Sequence, residues 1–231
     1  MAKRRPQRPN SDKPRPAGGK PRGKKPGVDP RLDAPMRIIG GQLKHKKILY
    51  SGDERTRPMK ERVREAVFNL IGPRIEGMHA IDLFAGTGAL GMEALSRGAC
   101  HATFIERHIP TSKLIRDNAE LLEVTDKVTI HPQNSFFWTK GIGGLKPEPW
   151  VVFFCPPYEL FESMRGEMVS QITRVQQHAP VGSVLVVEFD QRFDPTQLPQ
   201  AERWDVRPYP PAIVAIFRQD EPLAADEPSE A

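Results

Sequence analysis

The segment Ala80-Ile81-Asp82-Leu83-Phe84-Ala85-Gly86-Thr87-Gly88 constrains this chain more than any other. A short apolar run ends in an acid, two glycines follow at once, and helix-forming residues begin at Ala89. That order predicts a buried strand, a tight turn and a helix whose first backbone N–H groups face a ligand. The glycines permit the turn and a close approach of the ligand to the backbone. Twenty residues beyond Gly86, at the end of the next apolar run, stands Glu106, placed to bond a pair of ribose hydroxyls.

After Gly77 the chain alternates strand-like and helical stretches: strands are expected over 80–84, 102–106, 127–131, 150–154, 182–189, 204–207 and 212–218, with helices over 89–97 and 109–122. Such alternation predicts an α/β fold with a parallel, doubly wound, Rossmann-like sheet that binds ligands at the carboxyl ends of its strands. A chain of 231 residues accommodates one such domain, expected here over 77–218, with tails.

Charge is unevenly placed. Residues 1–35 carry 11 Lys or Arg against three Asp, a net +8, so with a total of +5 the remainder is acidic at −3. This Pro-rich head lacks the residues to build a core and is expected to be disordered, a cationic arm suited to phosphate backbones. Residues 219–231, with five acids and no Lys or Arg, are expected to form a disordered acidic tail. No apolar run approaches the roughly 18 residues that cross a bilayer, and the N-terminus lacks a signal-peptide core. Two cysteines, Cys100 and Cys155, cannot by themselves form a disulfide framework or a zinc site, which fits a reducing, cytoplasmic setting.

Between head and sheet, 36–76 reads as a small hairpin-plus-helix extension. Ile38, Ile39, Leu43, Ile48 and Leu49 flank Gly40-Gly41 and the basic group Lys44-His45-Lys46-Lys47, the pattern of a loose strand pair. A helix follows, with Thr56 as its expected cap, Pro58 just inside its start, and Met59, Val63, Ala66, Val67 and Leu70 at helical spacing. Its other face is expected to present Lys60, Arg62 and Arg64, which with Lys44, Lys46, Lys47 and Arg57 would form an RNA-binding patch.

Residues Val151 to Phe154 form a buried strand ending in Cys155-Pro156-Pro157-Tyr158, at the sheet edge where the ligand should lie. The prolines stiffen the loop, and the tyrosine offers a flat face for an extruded base. Gly86-Thr87-Gly88-Ala89-Leu90-Gly91 also matches the dinucleotide pattern, which keeps an NAD-dependent oxidoreductase in view. Asp82 ahead of the first glycine, the Phe84-Ala85 insertion and the Pro-Pro-Tyr element favour S-adenosylmethionine instead.

Over about Met36 to Arg218 these motifs resemble the RsmD family, bacterial methyltransferases of the guanine N2 amine in small-subunit rRNA. The resemblance rests on Met36-Arg37-Ile38-Ile39-Gly40-Gly41, on Arg57-Pro58 with Arg62 to Asn69, and on Asp82 to Ala99. It implies a class I S-adenosylmethionine-dependent methyltransferase with a seven-stranded sheet and an antiparallel last strand. By the same match Asp82, Gly86 and Gly88 would line the methionine end, Glu106 the ribose, and Asn134 with Ser135 the adenine edge. Phe84, Ala85, Thr87 and Arg107 belong to the same loops. The implied partner is small-subunit rRNA or an assembling subunit, with the chain acting as a monomer.

Three places depart from the family pattern. Its loop carries Asp, or Asn in related amine methyltransferases, where this chain has Cys155; Met59-Lys60 and Tyr209-Pro210-Pro211-Ala212 also differ. A thiol is a weak acceptor, and losing a well-placed electrostatic partner commonly costs about 2.7–4 kcal/mol. A non-catalytic RNA-binding or ribosome-assembly protein that keeps the fold is therefore the rival reading. A covalent role for Cys155 would need a lowered pKa or a nearby base, and its flanks supply neither. The histidines, His45, His79, His101, His108, His131 and His178, show no metal-ligand spacing. Glu188, ending the run Val184 to Val187, is either a pocket residue or a solvated strand end.

Overall fold

The computed structural model describes residues 36–50, 52 and 58–221. The basic head, Thr56, Arg57 and the acidic end from 222 lie outside them. Seven strands form one sheet: β1 (His79–Asp82), β2 (His101–Ile105), β3 (Val128–His131), β4 (Trp150–Phe154), β5 (Val184–Asp190), β6 (Asp205–Tyr209) and β7 (Ala212–Arg218), in the order β3-β2-β1-β4-β5-β7-β6. The β3-β2-β1-β4-β5 ladder is parallel, and β7 runs antiparallel to both β5 and β6. The strand order reverses between β1 and β4, which opens a crevice at their carboxyl ends.

Side chains alternate across the sheet with period two. Ala80, Phe104, Val151, Phe153 and Val186 pack on one face, and Ile81, Ile105, Val152, Phe154 and Val187 on the other. Both faces are covered, so the central strands read as nearly unbroken apolar runs. The first face meets α1 (Glu61–Ile71), α2 (Ala89–Ser96), α3 (Ile109–Leu121) and the N-terminal segment. The second meets α6 (Arg165–His178) and the short turns α4 (Ser135–Trp138) and α5 (Leu160–Ser163). No helix is expected from the sequence between β4 and β5, yet α6 fills that connection. Its buried stripe, Met168, Ile172 and Val175, has helical spacing but is diluted by the buried Gln171 and Gln176.

Of the two forms expected over 36–50, a hairpin or a loose strand pair, the structure has the loose pair, with one antiparallel bridge, Arg37↔Lys47, and the N–H of Ile38 donating to Lys46 O at 2.9 Å. The following helix begins at Glu61, three residues beyond Pro58, and its N-cap Lys60 makes no side-chain cap. The core also extends past the expected end of the domain. Gln219 is 1% exposed, its N–H donates to Ser183 O at 2.9 Å, and its carbonyl accepts from Gly182 at 2.7 Å. These bonds continue the β5–β7 pairing, so a tail starting at 219 starts too early. No helix among the described residues is long and apolar enough to cross a membrane.

Candidate active site

β1 delivers Asp82 to the sheet edge, and the chain then turns through Gly86 and Gly88 at φ of 52° and 78°. Any other L-residue is disfavoured there. The turn is held from several sides: the N–H of Leu83 donates to Phe153 O at 3.1 Å, that of Ala85 to Ile105 O at 3.1 Å, and Gly88 to Ala85 O at 2.7 Å. A Cβ on Gly91 would lie 2.3 Å from Phe104 Cε1, so the α2 glycine lets the helix sit close on β2.

Glu106 follows β2 and closes the loop. Its Oε2 accepts the N–H of Gly86 at 2.9 Å and its Oε1 that of His108 at 2.7 Å. Each oxygen keeps further acceptor capacity for a ligand hydroxyl. Phe84 packs edge-on against Phe136, with centroids 6.0 Å apart, and Thr87 is buried while Arg107 is exposed. Asn134 caps α4, its Oδ1 accepting from Phe136 N at 2.8 Å, and Ser135 behind it is buried. The candidate cofactor residues thus converge on the edge formed by β1, β2 and β3.

Asn118, which the sequence reading missed, ties this edge to the N-terminal segment. It is fully buried on α3; its Nδ2 donates to Thr87 O at 3.0 Å and to Leu49 O at 3.2 Å, and its Oδ1 accepts from Leu49 N at 2.7 Å. The only sequence signal is an amide among helical residues whose neighbours Leu114, Ile115 and Ala119 are core.

Asp82 is 1% exposed, both its carboxylate oxygens are buried, and the Gly91 and Phe84 amides reach them only in weak hydrogen-bond geometry. Burial pushes its pKa up to about 7, aided by the negative charge of Glu106, while the Gly91 and Phe84 amides pull the other way. A buried carboxylate held only by weak amide contacts is costly to ionise, and a cationic ligand near it lowers that cost. This observation, with the glycine turn and Glu106, fits a ligand that carries a positive charge and a ribose.

Across the crevice β4 ends at Cys155-Pro156-Pro157-Tyr158. Cys155 and Tyr158 are half-buried, Pro156 is buried and Pro157 exposed. Burial, then the negative charges of Glu188 and Asp82, raise the Cys155 pKa well above the usual thiol range. The sulfur therefore stays a neutral thiol, the opposite of what a covalent nucleophile requires. Tyr158 Oη donates to Glu188 Oε1 at 2.8 Å, so Glu188 belongs to the pocket rather than to a solvated strand end. Burial and Glu188 together raise the Tyr158 pKa, leaving the phenol protonated.

Of the expected basic patch, Lys44, Lys46, Lys47, Lys60 and Arg62 are exposed, while Arg57 lies outside the described residues. Arg64 is a correction. It is 2% exposed, its NH2 group donates to Arg37 O at 2.6 Å, and its Nε lies 3.9 Å from Glu93 Oε2. On α1 it shares a face with Phe68 and Ile71, the positions i+4 and i+7, and so points into the protein.

The sequence profile of the family described as Conserved hypothetical protein 95 matches residues 36–217. Ribosomal RNA small subunit methyltransferase D of Escherichia coli (strain K12) is 40% identical over 124 residues, 53% of this chain and 60% of that relative. The aligned segment thus spans less than two thirds of that protein. Among solved structures, the Escherichia coli yhhF protein matches with a TM-score of 0.64 and 27% identity, over 80% of this chain and 99% of its own. An RNA methyltransferase from Salinibacter ruber in complex with S-adenosyl-L-homocysteine shares the fold, with a TM-score of 0.51 and 18% identity over 74% of this chain and 100% of its own.

Proposed function

The chain belongs to the RsmD family, and from that premise we propose that it is an S-adenosylmethionine-dependent methyltransferase acting on a guanine N2 amine of small-subunit rRNA. The observation that carries the reading is the buried carboxylate of Asp82 at the glycine turn that Glu106 closes, on the same sheet edge as Cys155 to Tyr158. Asp82 would hold the cationic methionine end, the Gly86 to Gly88 backbone its closest approach, and Glu106 the ribose hydroxyls. Asn134 and Ser135 border the adenine end, with Phe84, Ala85, Thr87 and Arg107 completing the two loops. When bound, the cofactor supplies an electrophilic methyl group on a sulfonium.

The remaining tasks fall to the chain itself. The Tyr158 ring, fixed by its hydrogen bond to Glu188, offers a rigid face for a base taken out of its stack. Pro156 and Pro157 hold the loop without adding donors that would compete for the base. Lys44, Lys46, Lys47, Lys60 and Arg62 supply cations for the RNA backbone, and Arg57 joins them by sequence. The partner is small-subunit rRNA or an assembling subunit in the cytoplasm, engaged by a single copy of the chain.

Two measurements test this. Tritium transfer from S-adenosylmethionine into small ribosomal subunits shows the activity, and mass spectrometry of rRNA from cells with and without the gene identifies the base. Cofactor binding by calorimetry without any transfer would defeat the enzyme and leave the RNA-binding assembly protein standing.

A further inference from the structure

Three adjacent strands carry chemically active residues at or near their carboxyl ends on one face of the sheet. Asp82 ends β1, Cys155 follows β4, and Glu188 lies on β5, one residue beyond the last β4–β5 pair, Phe154↔Val187. Phe154 and Val187 point to the α6 side, so Cys155 and Glu188 turn together toward the opposite face, where Cys155 and Tyr158 pack. The middle position thus holds a neutral thiol between two carboxylates.

An exocyclic amine attached to an aromatic ring is a poor nucleophile because its lone pair is delocalised. An acceptor that takes one of its hydrogens localises the pair on nitrogen. A thiol serves this purpose badly. Asp82 has no exposure to speak of and lies on the cofactor side. Glu188 is 7% exposed, and its Oε1 accepts the Tyr158 hydroxyl, which fixes the carboxylate and leaves it the further acceptor capacity that an ionised carboxyl has.

We propose that Glu188 is the catalytic acceptor of this site: its carboxylate, aligned by Tyr158, takes the N–H of the exocyclic amine of the base stacked on Tyr158. The assignment rests on the methyltransferase reading above. In the step it serves, the amine nitrogen forms a bond to the methyl carbon as the carbon–sulfur bond breaks and its electron pair stays on sulfur. The nitrogen then gives up one proton to Glu188 Oε2, which passes it to water. Burial holds Glu188 above the usual carboxylate range, with the Tyr158 hydrogen bond offsetting part of the rise, so it takes up a proton more readily than an exposed acid. The charged and titratable groups around it are Cys155 and Tyr158 from the β4 loop, Asp82, which acts on the thiol, and Asp190, which acts on Tyr158 and is paired with Arg192; β7 presents the uncharged Val214.

Glu188→Gln is the informative variant. Its carbonyl can still accept the Tyr158 hydroxyl, which keeps the anchor and puts an NH2 donor where Oε2 was. At saturating cofactor, kcat for small subunits should fall about 100- to 1,000-fold, with calorimetric S-adenosylmethionine affinity unchanged. The wild-type acid limb, rising with pH through a value above the usual carboxylate range, should vanish. Cys155→Asp in the Glu188→Gln background should restore much of the rate. A binding arm needs no turnover: fluorescence anisotropy of two short single-stranded RNAs, identical except for one guanosine or inosine, reads the exocyclic amine alone. Wild type should prefer guanosine, and Glu188→Gln should lose the preference. Equal wild-type affinity for the two RNAs, or an unchanged kcat in Glu188→Gln, overturns the assignment. Absence of methyl transfer by the wild type with the guanosine preference intact sinks the enzyme reading instead, while Glu188 remains the amine acceptor of the pocket.

Discussion

Arg64 Nε lies 3.9 Å from Glu93 Oε2, with side-chain exposures of 3% and 0%, and this pair joins α1 to α2 inside the protein. Glu93 also accepts the N–H groups of Ile39 and Gly40, each at 2.8 Å, and Arg97 Nε at 2.8 Å. One carboxylate therefore fixes the N-terminal segment, the first helix and the helix after the glycine turn. Glu93→Ala strands a buried guanidinium, a loss of about 3–5 kcal/mol. Arg62→Ala, two residues from Arg64 but exposed, should stay within about 0.5 kcal/mol of wild type. Urea unfolding midpoints compare the two; equal shifts would refute the anchoring role of Glu93.

Asp82 gives a pH signature whose sign is fixed by its burial. Its pKa rises from 3.8 to about 7 in the ligand-free fold, so the folded state binds its proton more tightly than the unfolded state does. That contribution to stability is fully present below pH 3.8 and is lost as pH rises through about 7. Asp82→Asn should therefore flatten the decline in stability between those limits. Cofactor affinity should run the opposite way, since a cation prefers the ionised acid, falling below the pKa by at most about tenfold per pH unit. Calorimetric titrations across this range check both slopes; a pH-independent affinity would show that Asp82 does not meet the cationic end.

Gly41 and Gly72 separate two reasons for glycine. Both have positive φ, at 75° and 67°, but a Cβ on Gly41 would lie 1.8 Å from the Ser96 carbonyl oxygen, whereas one on Gly72 meets nothing within 4 Å. Gly72→Ala should lose about 1–3 kcal/mol from backbone strain alone, since φ 67° with ψ −156° is a region that essentially only glycine occupies. Gly41→Ala should lose that and about 1–3 kcal/mol more as the segment lifts off α2. Thermal unfolding of the two variants gives the difference, and equal losses would contradict the close packing.

How much of this was legible in the chain depended on whether a residue's task was local. The glycine turn, Asp82 and Glu106 could be read because turn sterics, strand ends and helix starts are written in neighbouring residues. The central strands were legible for the same reason, being continuous apolar runs. Arg64 was misread because a basic residue beside Lys60 and Arg62 looks solvated, and only Glu93, far along the sequence, explains its burial. Glu188 stayed ambiguous until the parallel register set it beside Cys155 and under the Tyr158 hydroxyl. Gln219 was assigned to a tail because the acids after it hide its pairing with Gly182 and Ser183. Helix α6 was missed where buried glutamines broke the apolar stripe.

The burial of Arg64 also redraws the proposed RNA-facing surface, which among the described residues leaves Lys60 and Arg62 as the exposed cations at the start of α1, with Lys44, Lys46 and Lys47 in the segment before it. Each phosphate contact on a single strand contributes about 0.7 to the slope of log K against log salt, and about 0.9 on a duplex. A Lys60→Ala/Arg62→Ala double variant should therefore lower that slope by roughly 1.4–1.8 for RNA, without changing cofactor affinity. Arg64→Ala should leave the slope of the folded protein unchanged and instead lower its unfolding midpoint. Filter binding to small-subunit rRNA across a salt series distinguishes the two surfaces. If Arg64→Ala reduced the slope as much as the double variant, with stability unaltered, the inward orientation of Arg64 would be wrong and the original patch correct.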